Sequence, residues 1–163
     1  MSYCDLGEFQ RNCVKYYFIE PEVAGSWGEN TIVTDRSVHA PIVSKLDYEF
    51  DGWPGDVLLE SFPVFIVTEF AKEKLQALRA TGVKFDRVEV STSEEFEHFY
   101  PDRKLPNFVW LKVDGTAGRD DFGRAPAPDL RLVISDRALN VLRPLGISHA
   151  EIEDFPTNQA VAQ

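Results

Sequence analysis

Pro63-Val64-Phe65-Ile66-Val67-Thr68-Glu69-Phe70-Ala71 is answered 67 positions later by Leu130-Arg131-Leu132-Val133-Ile134-Ser135-Asp136-Arg137-Ala138. In both stretches apolar residues run into a hydroxyl residue, Thr68 or Ser135, suited to cap a helix N-terminus. An acid follows, Glu69 or Asp136, on the first turn, where the helix dipole favours negative charge. Ala71, Leu75 and Leu78 hold the same i, i+4, i+7 phase as Ala138, Leu142 and Leu145, so each stretch predicts a strand, a turn and an amphipathic helix. Gly82 and Gly146 stand where left-handed caps would end the helices, and Val83 and Ile147 open the next strand-like runs. Pro144 lies in the last turn of the second helix, and three residues are missing there relative to the first, so that helix should be shorter. Neither unit is large enough to bury its helix alone, which makes one shared core the expected solution.

Working outward, Val14 to Glu20 is aromatic and β-branched and reads as a strand ended by Pro21. The stretch from Gly25 to Asn30 reads as a loop. Lys45 to Phe50 alternates, putting Leu46, Tyr48 and Phe50 on one face of a half-buried strand. Asp51 to Asp56 carries turn chemistry, and Val57 to Leu59 restarts toward the first unit. Between Phe85 and Val88 the apolar phase flips, marking a bulge or a strand end. Ser93 caps a short helix that should turn Phe96, Phe99 and Tyr100 inward, and Pro101 ends it. Asn107 to Val113 reads as a central strand, the Asp114-Gly115 turn follows, and Thr116 to Asp129 reads as an exposed loop. Together these segments predict a single α/β (mixed α+β) domain over residues 1–155, with two strand-helix-strand repeat units over about 63–90 and 130–155 on a mixed, partly antiparallel sheet, and residues 156–163 as a tail.

The chain has 163 residues, 44% of them hydrophobic, and a formal net charge of −10. That sign disfavours direct binding to a nucleic-acid backbone and suits a basic protein partner. No run of apolar residues is long enough to span a membrane, and the N-terminal residues lack a secretory pattern, so a cytoplasmic location with Cys4 and Cys13 as free thiols is expected.

Catalytic chemistry is sparse. His39, His98 and His149 show no metal-ligand spacing, and no phosphate-binding loop, dinucleotide fingerprint or nucleophile elbow occurs. Pro101-Asp102 ahead of Trp110-Leu111-Lys112 fails as a nuclease metal site, because Trp110 occupies the position of the second carboxylate. The expectation is a protein without catalytic residues, metal or cofactor; the rival would be an enzyme assembled from dispersed groups such as His98, Asp102 and Asp121. The candidate partner-binding residues are the acidic clusters Glu94, Glu95, Glu97 and Asp120, Asp121, with Phe122 and Trp53 as aromatic anchors in glycine-containing loops; Trp27 shares that setting.

The segment Leu132-Val133-Ile134-Ser135-Asp136-Arg137-Ala138, followed by Leu142, Gly146 and the run from His149 to Phe155, resembles the shared V-S-E-R-A element of bacterial immunity proteins that protect against polymorphic and type VI-secreted toxins. Val67-Thr68-Glu69-Phe70-Ala71 is a weaker copy, with Phe70 in the arginine position. The resemblance covers residues 60 to 155. It implies a cytoplasmic protein that binds one cognate toxin stoichiometrically, and it assigns no contact residues. The acidity points to a basic toxin, such as a nuclease effector; an acidic adaptor or chaperone that binds a basic segment without inhibiting it is the alternative.

Overall fold

The computed structural model describes residues 14–38 and 40–156; Cys4, Cys13, His39 and residues 157–163 lie outside them, with the expectations placed there. Among the described residues thirteen strands and three α-helices form an α+β fold. In chain order these are β1 (Tyr16–Glu20), β2 (Gly25–Trp27), β3 (Ile32–Asp35), β4 (Ile42–Lys45), β5 (Asp47–Phe50), β6 (Leu58–Ser61), β7 (Val64–Thr68), α1 (Glu69–Leu78), β8 (Val83–Asp86), β9 (Glu89–Thr92), α2 (Glu94–Phe99), β10 (Phe108–Val113), β11 (Phe122–Arg124), β12 (Leu132–Ser135), α3 (Asp136–Leu142) and β13 (Glu151–Phe155).

Both repeated units form the strand and hydroxyl-capped helix that their sequences predict. Thr68 Oγ1 accepts the Ala71 N–H and Ser135 Oγ accepts the Ala138 N–H, so the same hydroxyl cap starts α1 and α3. Val67, Ala71 and Leu75 meet Ile134, Ala138 and Leu142 in one buried cluster, the shared core. The second helix is the shorter, seven residues against ten, and passes into a 3₁₀ turn at Arg143–Leu145 that contains Pro144.

The sheets depart from the expected single sheet. There are two four-stranded antiparallel sheets of the same design, ordered β6-β7-β10-β8 and β11-β12-β1-β13. Each unit supplies a hairpin, a helix and a returning strand, and takes its remaining strand from elsewhere in the chain. β10, which leads into the second unit, completes the sheet of the first; β1 completes the sheet of the second. The registers agree in detail: Thr68 faces Phe108 and Ser135 faces Tyr16, while Asp86 faces Trp110 and Glu153 faces Phe18. The 67-residue offset therefore persists into the returning strands, so the three-residue deletion expected from the spacing of Gly82 and Gly146 is not present at the level of the strands. The smaller sheets are β2-β5-β9, with β5 and β9 parallel, and the hairpin β3-β4.

Several local expectations change for physical reasons. Arg79, not Gly82, takes the left-handed cap of α1, with φ 58°. Gly82 (φ 78°) is needed for close approach: a Cβ there would lie 2.1 Å from the Phe122 carbonyl oxygen, on the backbone of β11. The second returning strand opens at Glu151 rather than Ile147. The phase flip after Phe85 is a strand end, because β9 joins a different sheet from β8. Thr116 to Asp129 is not an exposed loop, since it contains β11 with Phe122, Gly123 and Ala125 buried against β12. In α2 only Phe96 is buried, at 2% exposure, whereas Phe99 is 67% exposed and Tyr100 is also outward. The helix is tethered at its start, where the Ser93 N–H bonds Phe50 O, and six residues provide a single inward position.

Replacing Thr68 by Ala should cost about 1 kcal/mol, the usual cost of a lost cap. Ser135→Ala should cost more, about 2 kcal/mol, because Ser135 Oγ also donates to buried Asp121 at 2.6 Å. Urea unfolding of the two variants measures both.

Candidate functional site

Asp121 is only 5% exposed and stands just before β11. Its carboxylate accepts from Arg137 Nε (2.8 Å) and Nη2 (2.9 Å), Ser135 Oγ (2.6 Å) and the Thr81 N–H (2.8 Å). Arg137 also donates to the carbonyls of Leu78 and Arg79 at the end of α1. Burial by itself would raise this carboxyl, but the hydrogen bonds from Arg137, Ser135 and Thr81, with the charge of Arg137, outweigh it and bring the pKa down to about 2. The group joins the two helices and has no oxygen to spare for a partner. Its neighbour Phe122 is fully buried, and Asp120, half-buried, accepts the Thr116 N–H at 2.7 Å. Asp121 and Phe122 are thereby corrected from contact residues to scaffold, and Asp120 is committed to a turn. A strand followed by a capped helix calls for buried residues at its start, which is where a turn-rich composition suggested a loop.

The first unit has a counterpart. Asp56, 1% exposed, accepts the His149 N–H (3.0 Å) and pairs with His149 Nδ1 (2.7 Å), while its carbonyl accepts the Trp53 indole N–H at 2.9 Å. Each unit thus places a buried aspartate ahead of its first strand, bonded to the segment leaving the other unit's helix. Asp56 also fixes Trp53, whose ring meets Phe108 edge-on at 6.1 Å between centroids. Trp27 is held differently, its indole N–H donating to Ser61 O at 3.3 Å.

Trp53 forms one wall of an open cleft of about 410 Å³ lined also by Glu22, Val23, Asp51, Tyr100 and Arg103. Tyr48, fully buried in β5, receives the Ala24 N–H and donates to Glu60 O, pinning the Ala24 side of this cleft to β6. Burial pushes the Tyr48 phenol up to about 12, so it remains the neutral donor. Asp51 N–H bonds Ala24 O, which draws the Trp53 loop against the segment after β1. Tyr100 caps α2 through its N–H to Phe96 O, and its ring lies over Gly52, where a Cβ would stand 3.4 Å from the ring. Arg103 follows by a tight turn and sets its guanidinium 5.8 Å from the Trp53 ring and 5.9 Å from that of Tyr100.

Glu94, Glu95 and Glu97 are exposed on α2, the helix that ends in Tyr100; Glu97 accepts the Thr92 hydroxyl at 2.6 Å. The structure therefore sets Trp53 in the cleft with Tyr100, leaves the α2 acids exposed on the helix that leads into Tyr100, and assigns Asp121 and Phe122 to the interior and Asp120 to a turn. The rival enzymatic trio is not assembled: Asp121 is bound by Arg137, while His98 and Asp102 are exposed on and after α2. Glu22, Asp51, Tyr100 and Arg103 escaped the sequence reading. For Asp51 the adjoining Gly52-Trp53 turn was a signal; for Arg103 there was none.

Among the described residues no three His, Cys, Asp or Glu side chains are grouped to hold a metal ion, and no helix is long and apolar enough to cross a membrane. Comparison of the sequence with protein-family models and with curated proteins finds no match.

Two groups beside the cleft make stability depend on pH. Burial pushes the Glu60 carboxyl up to about 7, with nearby Glu20 adding to the rise and Arg124 opposing it. The hydrogen bond and charge of Asp56 raise His149 above its usual 6.5. Both groups bind protons more tightly in the folded state, so their contribution is complete below the unfolded pKa and is lost as pH rises through the folded one. Glu60→Gln should therefore melt above wild type at pH 8 and lose that advantage by pH 4, and the stabilising difference between wild type and His149→Asn should shrink as pH rises past neutrality. Thermal unfolding across this range measures both.

Proposed function

We propose that this protein is an immunity protein that binds a cognate secreted antibacterial toxin and neutralises it in a stoichiometric complex, without turnover and without a cofactor. The observation that carries the reading is the open cleft at the Trp53 loop and the end of α2, which combines Trp53 and Tyr100 with the carboxylates Glu22 and Asp51 and follows a helix bearing exposed Glu94, Glu95 and Glu97. Buried side-chain polar atoms among the described residues all have hydrogen-bond partners, so the interior is spent on holding the fold and the surface is left for recognition. The V-S/T-E/D-x-A element resembles that of toxin-immunity proteins, and its role here is to cap two helices, consistent with a shared scaffold that carries variable contacts. A net charge of −10 favours a basic partner, and a nuclease effector is the toxin class that fits best. Inhibition then proceeds by covering the toxin's cationic substrate path in the cytoplasm.

Co-expression with the toxin domain encoded by the adjacent gene should restore growth of poisoned cells, and the purified proteins should form a complex of fixed stoichiometry. A complex without protection would instead make the protein an acidic adaptor. Neither complex nor protection would exclude both. If charge recruits the toxin, raising salt from low to physiological concentration should slow association far more than dissociation, as stopped-flow mixing can resolve.

A further inference from the structure

We infer that the Trp53–Tyr100 cleft receives an arginine side chain of the partner protein, and that Arg103 is an internal stand-in which the incoming guanidinium displaces. The inference rests on the proposed function only for what kind of protein brings the arginine. Its first support is geometric: two aromatic rings already hold a guanidinium, at 5.8 and 5.9 Å from their centroids. Both rings are fixed from behind, Trp53 by Asp56 and Phe108, and Tyr100 by the end of α2 and its contact with Phe96. The cation sits on a prepared surface.

The second support is that this cation is incompletely bound. The Arg103 side chain makes neither a hydrogen bond nor an ion pair with any described residue, so its planar fork of donors is unused. Glu22 and Asp51 line the same cleft, and neither carboxylate makes a side-chain hydrogen bond or ion pair with a described residue. A guanidinium entering from outside can use the ring faces and a carboxylate together, a charge-assisted pairing that Arg103 does not make. The surroundings suit such an entry. Val23, more than half exposed, lines the cleft with apolar surface, and the helix that leads into Tyr100 carries the exposed carboxylates Glu94, Glu95 and Glu97. Arginine is among the residues enriched at the centres of protein interfaces, and aromatic faces with a carboxylate offer it both cation–π and charge-assisted contacts.

Displacement makes a prediction with an unusual sign. Arg103→Ala removes a competing cation and should tighten binding of an arginine probe, whereas the pair Glu22→Gln and Asp51→Asn should weaken it. The full chain, isotopically labelled, is titrated with N-acetyl-arginine methylamide while the Trp53 indole N–H resonance is followed, assigned through Trp53→Phe. The variants are first checked for wild-type amide spectra away from the cleft. We expect the probe to shift this resonance, Arg103→Ala to bind roughly fivefold tighter and the double carboxamide variant roughly fivefold weaker, with no effect from the norleucine analogue. Absence of a shift, an equal response to the norleucine analogue, or weaker binding by Arg103→Ala overturns the inference; the last result would mean that Arg103 itself contacts the ligand. Failure here is distinct from failure of the immunity reading. Protection of cells that is unchanged in both variants removes the cleft and leaves the function, whereas probe binding without any protection keeps the cleft and removes the function.

Discussion

Two buried carboxylates close the fold on itself, each tying the entrance of one repeated unit to the exit of the other. Asp121 holds Thr81 beyond α1, and Asp56 holds His149 beyond α3. A buried charge is costly unless it is fully paired, and both are: Asp121 by a two-pronged arginine and two further donors, Asp56 by a histidine ring and a backbone N–H. Breaking either pairing would leave an uncompensated charge inside the contact between units. The strands follow the same reciprocity, because each four-stranded sheet is incomplete until a strand from outside its unit is inserted. Neither half has a complete sheet of its own.

The units differ where their contacts differ. The carbonyl of Val57 accepts the Thr68 N–H just as the carbonyl of Asp121 accepts that of Ser135, so Val57 and Asp121 are equivalent positions. Phe70 and Arg137 are equivalent too, each two residues past the cap. The second unit therefore has an ion pair where the first has two apolar residues, which accounts for the departure of the first copy from the arginine-bearing pattern. Phe70 stays at the surface with Lys74 over its ring at 5.1 Å.

This scaffold determines what its surface can present. Asp56 is at once a closing carboxylate and the acceptor for the Trp53 indole, so the cleft wall is continuous with the contact between the units. Tyr48 does the same for the opposite wall through Ala24. A surface fixed in this way would have little conformational entropy to lose if a partner docked on it. The outward turn of Phe99 and Tyr100 belongs to the same design, since a helix of six residues anchored at its start exposes what a longer one would cover.

The local elements were legible because their causes are local. Hydroxyl caps, the helical stripe and the strict alternation of Leu46, Tyr48 and Phe50 act within a few residues, and each appears where its pattern lies. The acids of α2 were legible as exposed for the same reason. Asp120, Asp121 and Phe122 were not, because glycine and proline around them have the composition of a loop, while their burial depends on Arg137, Thr81 and β12. Gly82 shows both halves of the lesson: the need for glycine was visible, but its cause is the approach of Phe122, forty residues away in sequence. The sequence alone determined the paired strand-helix units, their caps and the acidic balance, which are matters of neighbouring residues and of composition. Only the tertiary structure decided which strand completes which sheet, which aspartates are buried and which aromatics meet at the cleft, because those depend on pairings between distant segments that no local pattern encodes.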